Sequence, residues 1–166
     1  MVAFVYRMPS GIPGALSRPG TALVTEPNVL LSTNPPVSYG VPTVVDAATG
    51  HIRGVIAADV AASVYGFLVR AFPTESGTNL FGATAPNAQL VADVLRLGYM
   101  SVKVTNGTPT KNGAVFTRTI LNGAIPAGVI GDVEAIADGV NTFQVPNALF
   151  TGGMDANGNS EIAYSL

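Results

Sequence analysis

Apolar and polar positions alternate through most of this chain with the period of two that marks strands, and one stretch loses the polar half of the pattern altogether. From Val64 to Pro73 the residues Val64, Gly66, Leu68, Arg70 and Phe72 fall on one face and Tyr65, Phe67, Val69 and Ala71 on the other, so both faces are almost wholly apolar. A strand buried on both sides has this composition. Gly66 inside the run, its β-branched and aromatic residues and the closing Pro73 all weigh against a helix. The stretch is expected to be the central strand of the fold, with no chemistry of its own.

Taken in order, residues 8–20 hold prolines and glycines with little periodicity, which predicts an extended arm that crosses onto a neighbour or frays as a terminus. Residues 1–20 are therefore set apart as the arm and 21–166 as a single β-rich domain. The runs 21–25 and 29–31, split by Pro27, suit short or edge strands. Tyr39 to Asp46 and His51 to Ile56 flank Ala47-Ala48-Thr49-Gly50 and predict a hairpin. Ala57 to Ser63 is long enough for one helical turn or a connection. Thr74 to Asn87 reads as a long polar, glycine-rich loop, a candidate contact surface. Leu90, Val91, Val94 and Leu95 share a helical face, yet their run joins an alternating segment with Met100, Val102 and Val104 inward and Ser101, Lys103 and Thr105 outward. Val91 to Thr105 is thus expected to be mostly strand, interrupted at Gly98. Beyond it, Ala114–Ile120, Val129–Ile136, Phe143–Phe150 and Ile162–Leu166 are separated by Asn-Gly or Asp-Gly pairs, which favour tight turns between antiparallel strands. This spacing suggests a sandwich or barrel.

Composition narrows the functional classes. The 166 residues suit one domain that buries roughly 70% of the surface its unfolded chain exposes. There is no cysteine and a single histidine, His51, so disulfides, thiolate metal sites and a cysteine nucleophile are excluded. Charged residues make up 11%, against an apolar 48%, and a surface so poor in charge is expected to be covered by neighbours. With net charge −2 and no Lys/Arg cluster, the footprint for nucleic-acid binding is missing. No signal peptide and no membrane span are expected.

The motifs that could carry chemistry all have plainer readings. Asp155 to Glu161 places oxygen-bearing side chains at alternate positions, but the glycine position and the absent final glutamate do not fit a calcium loop, and a turn into the last strand is expected. Asn106-Gly107-Thr108 matches a glycosylation acceptor and is read as a turn. Asp132 and Glu134, two apart on one strand, are expected on a solvated face rather than as an acid/base pair. His51, directly after a turn glycine, is expected to be solvated. No phosphate loop, HExxH or GxSxG is present, so no catalytic residue, cofactor or metal is assigned and an enzyme is not expected.

Six segments in fixed order carry a resemblance: MPSGIPGALSRP at 8–19, PPVSYGVP at 35–42, VYGFLVRAFPT at 64–74, LRLGYMSVKV at 95–104, KNGAVFTR at 111–118 and GNSEIAYSL at 158–166. Together they resemble the structural cement (decoration) proteins of tailed bacteriophage capsids, with Ala71 standing where relatives often carry proline. The resemblance implies an antiparallel β-sandwich, jelly-roll-like, with an extended N-terminal arm. It further implies a non-enzymatic protein, made in the host bacterial cytoplasm, that sits on the outer surface of the virion capsid and clamps adjacent major capsid protein subunits as a homodimer or homotrimer. The expected contacts are Tyr6, Arg7, Met8, Ile12, Leu16 and Arg18 in the arm and Thr78, Leu80 and Phe81 in the long loop. The alternative is a β-sandwich carbohydrate or host-surface binding module on a virion, which would need an aromatic platform from a chain with no tryptophan. A small hydrolase would need a nucleophile and base that the sequence does not supply.

Overall fold

One strand, Val91–Asn106 (16 residues), runs the length of the protein and is shared by its two halves. The fold is a computed structural model that describes residues 11–18, 22–70, 86 and 91–165. In chain order the strands are β1 Val24–Val29, β2 Pro42–Val45, β3 Ile52–Arg53, β4 Val64–Leu68, β5 Val91–Asn106, β6 Ala114–Arg118, β7 Val133–Glu134, β8 Thr142–Phe150 and β9 Asn159–Tyr164. Short 3-10 turns at Ala61–Ser63 and Gly139–Asn141 are the only helical elements among the described residues.

The second half of β5 pairs antiparallel with β9 through Gly98 to Lys103 and parallel with β7 at Val104 and Asn106. From β7 the ladder passes to β6, then β8, then back to β9, so five strands close on themselves as a barrel. The inward set of β5, Met100, Val102 and Val104, meets Val115, Val133, Val145, Phe150 and Ile162 in one buried cluster. Each such fully buried large side chain contributes about 1.5–3 kcal/mol relative to exposure. The first half of β5 lies between β1 and β4, and β4 leads on to β2 and β3. A bridge from Leu30 to Ile52, with Leu31 N donating to Ile52 O at 2.7 Å, returns the end of β1 to β3. Leu30, Ile52, Leu68 and Val94 fill that second ring together with Tyr39. Their chain neighbours Phe67 and Leu95 point to the barrel cluster, as the period of two requires.

The chain is thus mainly β and largely antiparallel, as expected, and its pairing closes two rings on the shared β5. The parallel β5–β7 pair was not foreseen, because β7 inserts between β5 and β6 after a long loop. Asn122-Gly123 does turn, with Ile125 N donating to Asn122 O at 2.9 Å and Ala124 N to Asn122 Oδ1 at 3.0 Å, but the turn lies within that loop and does not close a hairpin. The predicted hairpin is present as β2 and β3, with Asp46 accepting from Thr49 N and Oγ1 in the turn and His51 half-buried after it. Pro27 does not split β1 but sits inside it opposite Asp93. The central role moves from the 64–73 run to β5; β4 ends at Leu68, although both its edges are paired.

Two glycines make the sharing of β5 possible. A Cβ on Gly66 would stand 2.4 Å from Leu95 O, so β4 and β5 approach as only glycine allows. Gly98 has φ 137, a Cβ on it would stand 2.7 Å from Leu23 Cδ1, and there the strand passes from one ring to the other without interruption. Gly66→Ala is expected to lower unfolding free energy by about 1–3 kcal/mol through overpacking. Gly123→Ala, where a Cβ meets nothing within 4 Å, should leave the urea midpoint unchanged.

Candidate interaction surface

Residues 11–18 lie on the chain's own barrel. Gly14 N donates to Ser101 O at 2.8 Å, Ser101 N to Ala15 O at 2.9 Å and Ser17 N to Tyr99 O at 3.1 Å, and Leu16 bridges Met100. This segment fills the edge of β5 between β4 and β7. It then crosses the outer face over Ser101 to Gly11, whose carbonyl accepts from Asn159 Nδ2 at 3.1 Å. Ser101, expected outward and polar, points outward but is fully buried beneath this cover. Of the expected contacts, Leu16 is half-buried against the barrel core, Ile12 is 60% exposed, and Arg18 donates to Glu161 (Nε to Oε1, 3.0 Å) while lying over the Tyr99 ring. Tyr6, Arg7, Met8, Thr78, Leu80 and Phe81 lie outside the described residues.

The 119–132 loop is organised by a side chain that the sequence reading did not single out. Arg118 is fully buried; its Nη2 donates to Glu134 Oε2 at 3.0 Å and its Nη1 to Asp138 Oδ2 at 2.8 Å and Ile120 O at 3.0 Å. Gly128 packs against the guanidinium, where a Cβ would stand 2.6 Å from Nε. Glu134 is also fully buried and accepts from Asn106 Nδ2 at 2.9 Å, which corrects the expected solvated face. The carboxylate is buried because the strand's pairing aims it inside, where a fixed guanidinium balances its charge. Hydrogen bonds from Asn122, then Arg118, hold the Asp138 carboxyl below the usual range. Asp132, which accepts from Val129 N at 3.2 Å, is pushed up to about 6, chiefly by burial.

Residues 119–131 of this loop and their neighbours form an apolar surface without charged side chains. A cleft of about 340 Å³ opens between Gly54–Ala57 and Val129–Gly131, floored by Val41 and Pro42. Val37, Ile56, Leu121 and Val129 on its walls are 42, 40, 63 and 47% exposed. Nearby, Thr119 N and Ile120 N both donate to Asn141 O, which sets the 86%-exposed Val140 beside Ile120. The second wall is braced like the first: Arg53 grips Asp59 with two bonds of 2.7 Å, and Asp59 accepts from Ile56 N at 2.8 Å. Burial opposes the Asp59 charge, but these hydrogen bonds outweigh it and keep the carboxyl below its usual range. A legible signal did exist, since residues 119–131 contain no charge in a loop rich in glycine and apolar residues.

Two further arginines are engaged with tyrosine rings inside the chain. Arg70 lies 4.5 Å from the Tyr39 ring centroid and Arg96 3.7 Å from that of Tyr65. Among the described residues no exposed large apolar side chain is aromatic, and no cluster of three or more His, Cys, Asp or Glu could hold a metal.

The family model described as XM1 gp53 minor capsid protein matches residues 1–164. The chain belongs to this phage minor capsid protein family. The resemblance to capsid-associated proteins of tailed phages is borne out at that level. A chain of the solved structure entitled "The capsid of Myoviridae Phage XM1" is 16% identical with a TM-score of 0.68, over 98% of this chain and 95% of that one, which extends the likeness to the fold. No curated protein matches.

Arg118→Met should destabilise the protein by about 3–5 kcal/mol in urea unfolding, because it leaves the Glu134 charge buried without its partner. The pH dependence has opposite signs on the two sides of this network. Asp132 has a folded pKa of about 6, above its unfolded value, so its contribution is most favourable at low pH and is lost as pH rises from about 4 to 6. Asp59 and Asp138, with lowered pKa, contribute above about pH 4 and lose that contribution on acidification. Asp132→Asn should therefore raise the melting temperature at pH 7 and shrink toward no gain as pH falls through that window.

Proposed function

We propose that the protein is a non-enzymatic cement, or decoration, protein that binds the outer surface of the capsid shell and bridges adjacent major capsid protein subunits. The single observation that carries this reading is the family match across residues 1–164. The surface supports it: the described arginines are engaged within the chain, and what is offered outward is a braced, neutral, apolar end suited to burial against protein. A protein that binds the assembled shell and not its dissociated subunits stabilises the shell by mass action. Self-association as a dimer or trimer would multiply such contacts. Residues 1–10 extend the attachment to a neighbouring subunit. The finer architecture implied by the resemblance, a sandwich of jelly-roll type, would then describe how the two rings pack. The carbohydrate-binding alternative finds no support in an aromatic platform among the described residues.

Co-sedimentation of the purified protein with expanded shells, alongside its solution mass by light scattering, tests this reading. Saturable binding at a fixed ratio to the shell subunit is expected; a protein that stays in the supernatant at every concentration overturns it. Because residues 11–18 belong to the folded barrel, the arm is tested by removing residues 1–10 alone. That truncation should lower shell occupancy at an unchanged melting temperature, whereas removing residues 1–18 should lower both.

A further inference from the structure

The two walls of the cleft are built on the same turn. Asp59 N donates to Ile56 O at 3.0 Å while Ile56 N donates back to Asp59 Oδ2 at 2.8 Å. In the same way, Asp132 N donates to Val129 O at 3.0 Å while Val129 N donates back to Asp132 Oδ2 at 3.2 Å. What differs is the cation. Both Nη atoms of Arg53 bond Asp59, at 2.7 Å each. Arg118 instead directs Nε and Nη2 to Glu134 and Nη1 to Asp138 and Ile120 O, so no guanidinium nitrogen is left for Asp132. We infer that the cleft is proton-responsive on one side only: the Ile56 wall is fixed, and the Val129 wall loosens when Asp132 ionises. The asymmetry holds whatever covers the cleft.

Charge is unevenly matched around the second turn. Three carboxylates, Asp132, Glu134 and Asp138, share the field of one guanidinium, and two of them hold its nitrogens. The other groups that face Asp132 are uncharged: Thr105 on β5 hydrogen-bonds it, and across the cleft Val37 Cγ2 and Val55 Cβ stand 3.7 and 3.9 Å from the place of a Cβ on Gly131. As a neutral acid, Asp132 accepts from Val129 N and can donate to Thr105 Oγ1, which itself donates to Val133 O at 3.3 Å. As a carboxylate it has no proton to give and is repelled by Glu134. Burial first, and the Glu134 charge after it, thus hold its proton up to about 6. For Asp59 burial acts the same way, but the Arg53 bonds outweigh it and keep that carboxyl below the usual range.

Opening the Val129 turn returns Asp132 to water, where a carboxyl of its kind releases its proton near about 3.9. A group whose value is higher in the closed state supports that state at low pH and ceases to do so as pH rises. With about 6 closed and about 3.9 open, opening should become about tenfold more frequent between about pH 5 and 7. The Ile56 turn has no such dependence there, because Asp59 is ionised on both sides of that window.

Amide hydrogen exchange of the full chain, followed residue by residue by NMR and corrected for intrinsic rates, tests this. From about pH 5 to 7, protection of the Val129 amide is expected to fall about tenfold while that of the Ile56 amide stays level. In Asp132→Asn, which keeps the acceptor and removes the titration, both should stay level. His51→Gln removes the single histidine, a residue type that titrates in the same range, and should retain the fall at Val129. Equal changes at Val129 and Ile56, or none at either, overturn the inference. So does a fall at Val129 that persists in Asp132→Asn or disappears in His51→Gln, which assigns the response to another group. If Asp132→Asn does not fold, the unmodified protein and His51→Gln decide between the same outcomes.

Discussion

Every described part of this protein depends on β5 being hydrogen-bonded along both edges to two different sets of strands. Its first half is held between β1 and β4, and its second between β9 on one side and β7 with the 14–17 segment on the other. A strand can serve two rings only if it bends between them without a side chain in the way, which is why Gly98 stands at the passage and Gly66 at the tightest approach. Ring closure also removes the open ladder edges on which chains aggregate, and Pro27 inside β1 blunts an edge that remains.

The treatment of charge follows the same economy. Arg118 and Arg53 each brace one wall of the apolar cleft from beneath, and Arg18, Arg70 and Arg96 lie over tyrosine rings. The guanidinium is suited to this work because its planar fork can satisfy several acceptors at once, where an ammonium acts as a single point charge. Arginine in this protein is thus a structural residue that shapes neutral surface. Association through such a surface depends on shape and apolar burial, so it should respond weakly to ionic strength, unlike charge-steered binding.

Much of the strand inventory was legible in the residues themselves. Alternation placed Met100, Val102 and Val104 inside, the turn at Ala47–Gly50 marked a hairpin, and Asp155 with Asn157-Gly158 formed a turn, its carboxylate accepting from Asn157 N and Asn159 N. The candidate surface was less legible. Of the expected contacts, Leu16 and Arg18 are also engaged by their own barrel, and composition cannot show this because it does not say which backbone edge a Pro/Gly-rich segment will find. The apolar cleft was not legible because Val37, Ile56, Leu121 and Val129 are far apart in the chain and share no local pattern.

The sequence by itself determined that this is a β protein without cysteine chemistry, with little charge, with its strand faces sorted by a period of two. Those properties are local or compositional, and sterics and hydrophobicity act on them residue by residue. Only the tertiary structure decided that the strands close into rings, that β5 and β7 run parallel, that Glu134 is a buried partner of Arg118, and that four distant apolar residues line one cleft. Each of these is set by which segments meet across the sheet. A strand's alternation reveals which face is buried but carries no information about which neighbour will bury it.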